Sequence, residues 1–341
     1  MNTGYTNGEE RELERLADEA LALLGGRLLR ETRCGRGASG AVWLAREEMT
    51  QRRVAVKVVR KDDANVWRRE YTGVRHFCEH VRHVHPHLLV IHHLAENDRF
   101  FCYSMEAADN VHAADIYQPD TLGYRLRNGE PLPLSDVRRY GAQLMEALLS
   151  LHEAGLVHRD LKPDNIVFVD GEPKIADIGL VSLIHPELSV VGTPGYIPQN
   201  QLDNAEPDGI AQDIYALGKI LYGCMSGYSA NHFPKMPAAV TAHPLSLPLN
   251  NAILTACHPN PARRFPNIRE FLAAWNTAPA APRYEQLQGL LWRVAIVVLF
   301  LIVAGLSFFF SRTDTARNPP VTPSSPPSVF KPFENIIFEE A

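Results

Sequence analysis

The sequence predicts an α+β chain of two lobes, a small β-rich one followed by a larger helical one, with one transmembrane helix behind them. Three observations predict it. Near Asn110 the pattern changes from short runs of β-formers to apolar positions at helical spacing. Of the 341 residues, 45% are hydrophobic and 21% charged, which supports a sizeable core and excludes a chain disordered throughout. From Leu290 to Phe310 the only charge is Arg293, and about 20 such residues span a ~30 Å hydrocarbon layer.

The elements follow in order. Residues 1–26 form an N-terminal extension whose first stretch, Met1 to Glu14, is polar and acidic and carries no cleavable secretory signal. Glu9 to Leu24 reads as a short amphipathic helix stopped by Gly25 and Gly26. The globular domain covers 27–276, its first lobe 27–107 and its second 108–276. Strands are expected at Ala41–Ala45, Arg53–Val59, Leu88–His92 and Phe100–Met105, with a helix at Val66–Cys78. Ser135 is placed to cap a helix carrying Val137, Tyr140, Leu144, Leu148 and Leu151 on one face and ended by Gly155. A linker at 277–289 opens with TAPAAP and leads to the span at 290–310, with Trp292 at the interface and Arg293 snorkelling to the headgroups. The tail, 311–341, is Pro/Ser-rich and extended.

A single late span without a signal leaves the large N-terminal part in the cytoplasm, as in a single-pass inner-membrane protein. The five cysteines, with no C-x-x-C pair, fit reduced thiols there. A net charge of −5 argues against a nucleic-acid partner.

Chemistry begins with CGRGASGAVWLA. Its Gly35, Gly37 and Gly40 let backbone amides approach a phosphate. The glycines sit between strand-like runs, not before a helix, so a dinucleotide fold fits poorly. Lys57 follows inside the apolar run VAVKVV and calls for an anionic partner or a ligand. Then come VHRDLKPDNIVFVD and KIADIGL, which supply two carboxylates, Asp160 and Asp177, and the amide of Asn165. Phosphoryl transfer needs such a set: one carboxylate to orient an attacking hydroxyl, and oxygen donors to hold Mg²⁺ beside a phosphate.

These motifs, in this order, resemble the protein-kinase superfamily, specifically the bacterial membrane-anchored Ser/Thr kinases related to the eukaryotic enzymes. The resemblance runs from Leu28 to Trp275 and continues through Gly192-Thr193-Pro194-Gly195-Tyr196, Asp213-Ile214-Tyr215-Ala216-Leu217-Gly218 and Pro261-Ala262-Arg263-Arg264-Phe265. It implies a bilobal protein-kinase fold, ATP with Mg²⁺ or Mn²⁺, protein substrates bearing Ser or Thr, and autophosphorylation. Residue by residue it implies that Gly35, Gly37 and Gly40 cover the phosphates. Lys57 holds the α/β-phosphates and pairs with Glu70, with Glu79 as the alternative. Asp160 is the catalytic base, Lys162 steadies the γ-phosphate, and Asn165 and Asp177 bind the metal. Val42, Ala55 and Val167 sandwich the adenine, Met105 is the gatekeeper, and Glu106 and Ala107 form the hinge. Thr193 hydrogen-bonds Asp160 and Lys162.

Two departures stand out. Ile178 replaces the usual Phe of the metal loop, an apolar exchange of little consequence. Asn200 falls where the family has a glutamate paired with an arginine, here Arg264, so a charge pair is lost. Arg159, beside Asp160, suggests control by phosphorylation of the activation loop, with Ser182 and Ser189 as acceptors. The histidines from His76 to His93 straddle a helix end and a strand and read as the family's turn into its fourth strand, not as a metal tract. Cys34 reads as a small apolar filler above the adenine. A nucleotide-binding pseudokinase acting as a membrane-tethered interaction module is the alternative reading. A small-molecule phosphotransferase fits less well, because GTPGY and DIYALG are both present.

Overall fold

The computed structural model describes residues 7–25, 27–36, 40–81, 83–112, 116–184, 192–203 and 208–277. The span expected at 290–310, the tail at 311–341, the linker beyond Thr277, and Gly26, Gly37 and Ser189 lie outside the described residues. Among the described residues no helix is long and apolar enough to cross a membrane.

Helix α1 (Asn7–Leu23) precedes strands β1 (Leu28–Arg36), β2 (Gly40–Glu47) and β3 (Arg53–Arg60), helix α2 (Ala64–His80), and strands β4 (Ile91–Glu96) and β5 (Phe100–Glu106). The five strands form an antiparallel sheet in the order β1-β2-β3-β5-β4. Both of its faces are covered. Leu13, Leu16, Ala17, Ala20, Leu21 and Leu24 of α1 and the turn after it pack on Trp43, Val56, Val58, Phe100 and Cys102. Val74 and Phe77 of α2 pack with Val59, Phe101 and Tyr103 on the opposite side. This explains why the interior of β3 is buried without interruption from Ala55 to Val59: a strand covered on both faces loses the polar alternation of a half-exposed one. Helix α1, within the extension expected from the sequence, therefore packs on this lobe.

The second lobe is helical. It comprises α3 (Leu122–Arg125), α4 (Leu134–Glu153), β6 (Leu156–Val157), β7 (Ile166–Val169), β8 (Glu172–Ile175), β9 (Ser182–Leu183), α5 (Gln199–Asp203), α6 (Gly209–Ser226), α7 (Ala238–Thr241), α8 (Ser246–Ala256) and α9 (Ile268–Asn276). β6 pairs with β9 and β7 with β8. The core gathers Leu144, Leu148 and Leu151 of α4, Ile214, Leu217 and Leu221 of α6, and Phe271 and Trp275 of α9. Helix α6 starts at Asp208, whose side chain accepts from Ala211 N at 3.0 Å, and stops at Gly227, with φ of 73°.

Two sequence expectations shift. The fourth strand begins at Ile91, not Leu88, because Leu88 bridges Ile175 and Leu89 N donates to the Ile175 carbonyl at 2.9 Å, tying this stretch to the second lobe. Ser135 does not cap α4. Pro133 holds that position, its carbonyl accepting from Asp136 N at 2.9 Å and Val137 N at 3.0 Å, and Ser135 lies within the first turn.

Candidate active site

A cleft of about 550 Å³ opens beside the sheet. Cys34, Gly35, Gly40, Val42 and Ala55 line it from the sheet, and Val167 and Ala176 from the second lobe. The pairing sets this up: Ala55 lies opposite Leu44 and Met105, and Lys57 opposite Val42 and Tyr103. Ala55 and Lys57 thus share one face of β3 two residues apart. Gly40 has no room for a side chain, since a Cβ there would stand 2.0 Å from the Val58 carbonyl oxygen.

At the inner end Lys57 Nζ stands 2.5 Å from Glu70 Oε1 and 2.8 Å from Asp177 Oδ1. Glu70 also accepts from the Tyr103 hydroxyl at 3.1 Å. Burial works against the Lys57 charge, but Asp177 and its other anionic neighbours outweigh it and hold the ammonium well above the usual lysine range. In return Lys57 depresses the Asp177 carboxyl. Glu79 is not the partner; it faces Arg75 at 2.7 Å on the exposed side of α2. The approach of α2 to the metal loop depends on two glycines. A Cβ on Gly73 would sit 2.7 Å from the Gly179 carbonyl oxygen, and one on Gly179 would sit 2.8 Å from Glu70 Cγ.

Asp160 is fixed from two sides. Its Oδ1 accepts from the Thr193 hydroxyl at 2.7 Å, and its Oδ2 lies 3.1 Å from Lys162 Nζ, which also reaches Thr193 at 3.3 Å. The contacts expected of Thr193 are present. Asn165 Nδ2 donates to the Asp160 carbonyl at 2.8 Å, which turns the amide oxygen away from Asp160. Asp177 offers Lys57 a single oxygen and takes a left-handed backbone conformation, φ 55° and ψ 62°. An amide oxygen and a carboxylate oxygen are donors that a hard Mg²⁺ or Mn²⁺ takes, so the residues present fit the ion.

A residue that sequence reasoning left without a role braces the loop. Asp213, fully buried on α6, accepts from His158 N and Arg159 N, each at 2.8 Å, and lies 2.9 Å from His152 Nε2. Its two backbone contacts hold Arg159 with φ at 71°. The motif DIYALG was the available signal. The Arg159 guanidinium is buried, which pushes its pKa down, and nearby Arg69 adds to this. Its Nη1 reaches the Ser182 hydroxyl at 3.4 Å.

At the hinge the side chains divide between two hollows. Met105, Glu106 and Ala108 line the cleft, whereas Ala107 faces a separate hollow with His92, His93 and Ser104. The chain leaves the sheet at Glu106, so the alternation that puts Met105 in the cleft does not extend to Ala107. The Glu106 carboxylate turns back to Val90 N at 2.9 Å and Lys174 Nζ at 2.7 Å. His87 is spent on the Pro173 carbonyl at 2.8 Å and His80 on the His76 carbonyl at 2.9 Å. Among the described residues no cluster of His, Cys, Asp and Glu is arranged to hold a metal ion.

Comparison with known proteins agrees with this geometry. Residues 29–242 match the family model described as protein kinase domain. The chain is 32% identical over 212 residues to the serine/threonine-protein kinase AfsK of Streptomyces coelicolor, which covers 59% of this chain and 24% of the relative. It is 29% identical over 272 residues to the serine/threonine-protein kinase Pkn1 of Myxococcus xanthus, covering 73% and 38%. It is 30% identical over 227 residues to the serine/threonine-protein kinase PkaA of Streptomyces coelicolor, covering 60% and 39%. The chain thus spans about a quarter to two fifths of the length of these relatives.

Proposed function

The chain belongs to the protein kinase family, and on that premise we propose that it is a Ser/Thr protein kinase held at the inner face of a membrane. It would transfer the γ-phosphoryl of ATP to protein hydroxyls, its own among them. The observation that carries this reading is Lys57 standing between Glu70 and Asp177 in the cleft, 2.5 and 2.8 Å from them. An ammonium fixed in this way presents a set positive charge to the α/β-phosphates. Asp160, held by Thr193 and Lys162, orients the acceptor hydroxyl and accepts its proton. Lys162 supplies charge to the γ-phosphoryl oxygens. Asn165 and Asp177 would hold Mg²⁺ or Mn²⁺, which neutralises phosphate charge when bound. The Ser/Thr preference rests on the DLKPDN loop and Thr193, and on the names of the relatives. The membrane tether rests on the apolar run at 290–310.

The test is phosphate incorporation from Mg-ATP, read by intact mass. Asp160→Asn should lose transfer by about a hundredfold or more while binding ATP within a few-fold of wild type, since the base does not hold the nucleotide. Lys57→Met should lose transfer by a similar factor. Wild-type rates in either variant would overturn the assignment. Nucleotide binding without any transfer in the unaltered chain would instead mark an interaction module.

A further inference from the structure

Between β5 and α3 the chain makes a narrow antiparallel excursion. Asn110 bridges Pro119, and Val111 N donates to the Gln118 carbonyl at 3.0 Å. The Asn110 side chain accepts from Gln118 N at 2.8 Å. The base of the excursion is pinned to the second lobe: Asp109 N donates to the Phe168 carbonyl at 2.7 Å, and the Asp109 carboxylate accepts from Asp170 N at 3.0 Å and Gly171 N at 2.8 Å. These bonds tie the base of the excursion to β7 and the turn that follows it.

The returning segment carries Tyr117. Its hydroxyl donates to the Ala108 carbonyl at 2.7 Å. Tyr117 lines the same cleft as Ala108 and Cys34. Burial pushes the Tyr117 hydroxyl pKa up, and the Cys34 thiol comes next among the groups that raise it. Tyr117 is therefore anchored to the hinge and lies near the strand that roofs the cleft. A tyrosine that merely ties down a loop needs only its hydroxyl; this one also gives surface to the cleft.

We propose that Tyr117 is a nucleotide-contacting residue, its ring forming the outer wall at the base end of the cleft, anchored through the Ala108 carbonyl. The proposal rests on the ATP-binding reading above. It assigns Tyr117 to retention of the nucleoside, with no part in phosphoryl transfer.

Calorimetric titration of the full chain with ATP, adenosine and inorganic tripolyphosphate tests it. Tyr117→Ala should weaken ATP and adenosine alike by about tenfold, the usual value of one aromatic contact. Tripolyphosphate, which lacks the nucleoside, should bind as to wild type. In steady state KM for ATP should rise about tenfold while kcat moves less than twofold. Adenosine affinity equal to wild type in a folded Tyr117→Ala chain overturns the proposal, as does an equal loss for tripolyphosphate. If Tyr117→Ala lowers the melting temperature by more than a few degrees, Tyr117→Phe decides: it keeps the ring, so adenosine affinity within about threefold of wild type is expected, and a loss as large as that of Tyr117→Ala overturns it. A wild-type chain that binds neither ATP nor adenosine overturns the ATP reading itself, and this proposal with it.

Discussion

Arg264 is buried, and the hydrogen-bond acceptors described around it are neutral oxygens. Its Nε donates to the His258 carbonyl at 2.7 Å, and its Nη2 to Asn200 Oδ1 at 2.8 Å and the Pro259 carbonyl at 3.3 Å. Its face lies 5.2 Å from the Tyr215 ring centroid, and Nη1 has no partner among the described residues. Burial pulls its pKa down. Asn200→Glu would add a carboxylate with two acceptors for the same fork. Charged hydrogen bonds exceed neutral ones, while desolvating the new anion offsets part of the gain, so a net stabilisation of about 0.5–2 kcal/mol is expected. Melting should rise by a few degrees, at roughly 2–4 °C per kcal/mol. Thermal melts in the Arg264→Ala background are the control; an equal gain there would mean the two side chains do not interact. Cys34 sets a second prediction at this scale. Burial pushes its thiol up to about 12, so at pH 8 only about one molecule in ten thousand carries the thiolate that alkylating agents attack. Iodoacetamide at pH 8, followed by peptide mass mapping, should label Cys34 roughly a thousandfold more slowly in the folded chain than in the unfolded one. The thiol becomes reactive only as pH climbs toward its raised value. Rapid labelling of folded protein at pH 8 would contradict the raised thiol pKa.

At the scale of elements, α1 shows what the sequence concealed. Its amphipathic pattern was legible, but an apolar stripe does not name its partner, so the segment read as an appendage. In the fold it covers the sheet face that carries Trp43 and Phe100, and this second cover makes VAVKVV read as a continuous apolar run. Leu16→Ala should therefore cost about 2–4 kcal/mol, as a large-to-small change in a core, and lower the melting temperature by roughly 5–12 °C. Arg15→Ala, one position away with its side chain 67% exposed, should change it by less than about 2 °C. Equal effects from the two would remove α1 from the core. The site motifs were legible because phosphate and metal chemistry confine residue types at short spacing, and Lys57, Glu70, Asp160, Asn165 and Asp177 meet as expected. Less legible were features set by partners distant in sequence: Leu88 drawn to Ile175, Asp213 under the catalytic loop, and Tyr117 returned to Ala108 by a narrow antiparallel excursion. Apart from the DIYALG motif that Asp213 opens, these carry no local signal, because each depends on which backbone amide or carbonyl lies opposite.

At the scale of the whole molecule the chain divides between Ala281 and Pro282 into two units. The first holds all the elements described and the whole catalytic set. In the second, the sequence places Val294 to Phe310 without a charge. Transfer of about 20 such residues from water to hydrocarbon is favourable enough to be effectively irreversible, unlike binding through a single acyl chain or a basic patch. The two units should therefore separate by solvent. A chain ending at Pro282 should stay in the supernatant and bind ATP with the affinity of the full chain, because no residue of the catalytic set lies beyond it. The full chain should sediment with membranes, resist 1 M salt and carbonate, and enter solution only with detergent. Salt release would mean electrostatic attachment, since screening at ~1 M confines charge interactions to about 3 Å. Recovery of the full chain in the soluble fraction without detergent would remove the span. The orientation follows separately: protease added outside sealed right-side-out vesicles should shorten the chain only at its C-terminal tail and spare the domain, and digestion of residues 27–276 from that side would reverse the assigned topology.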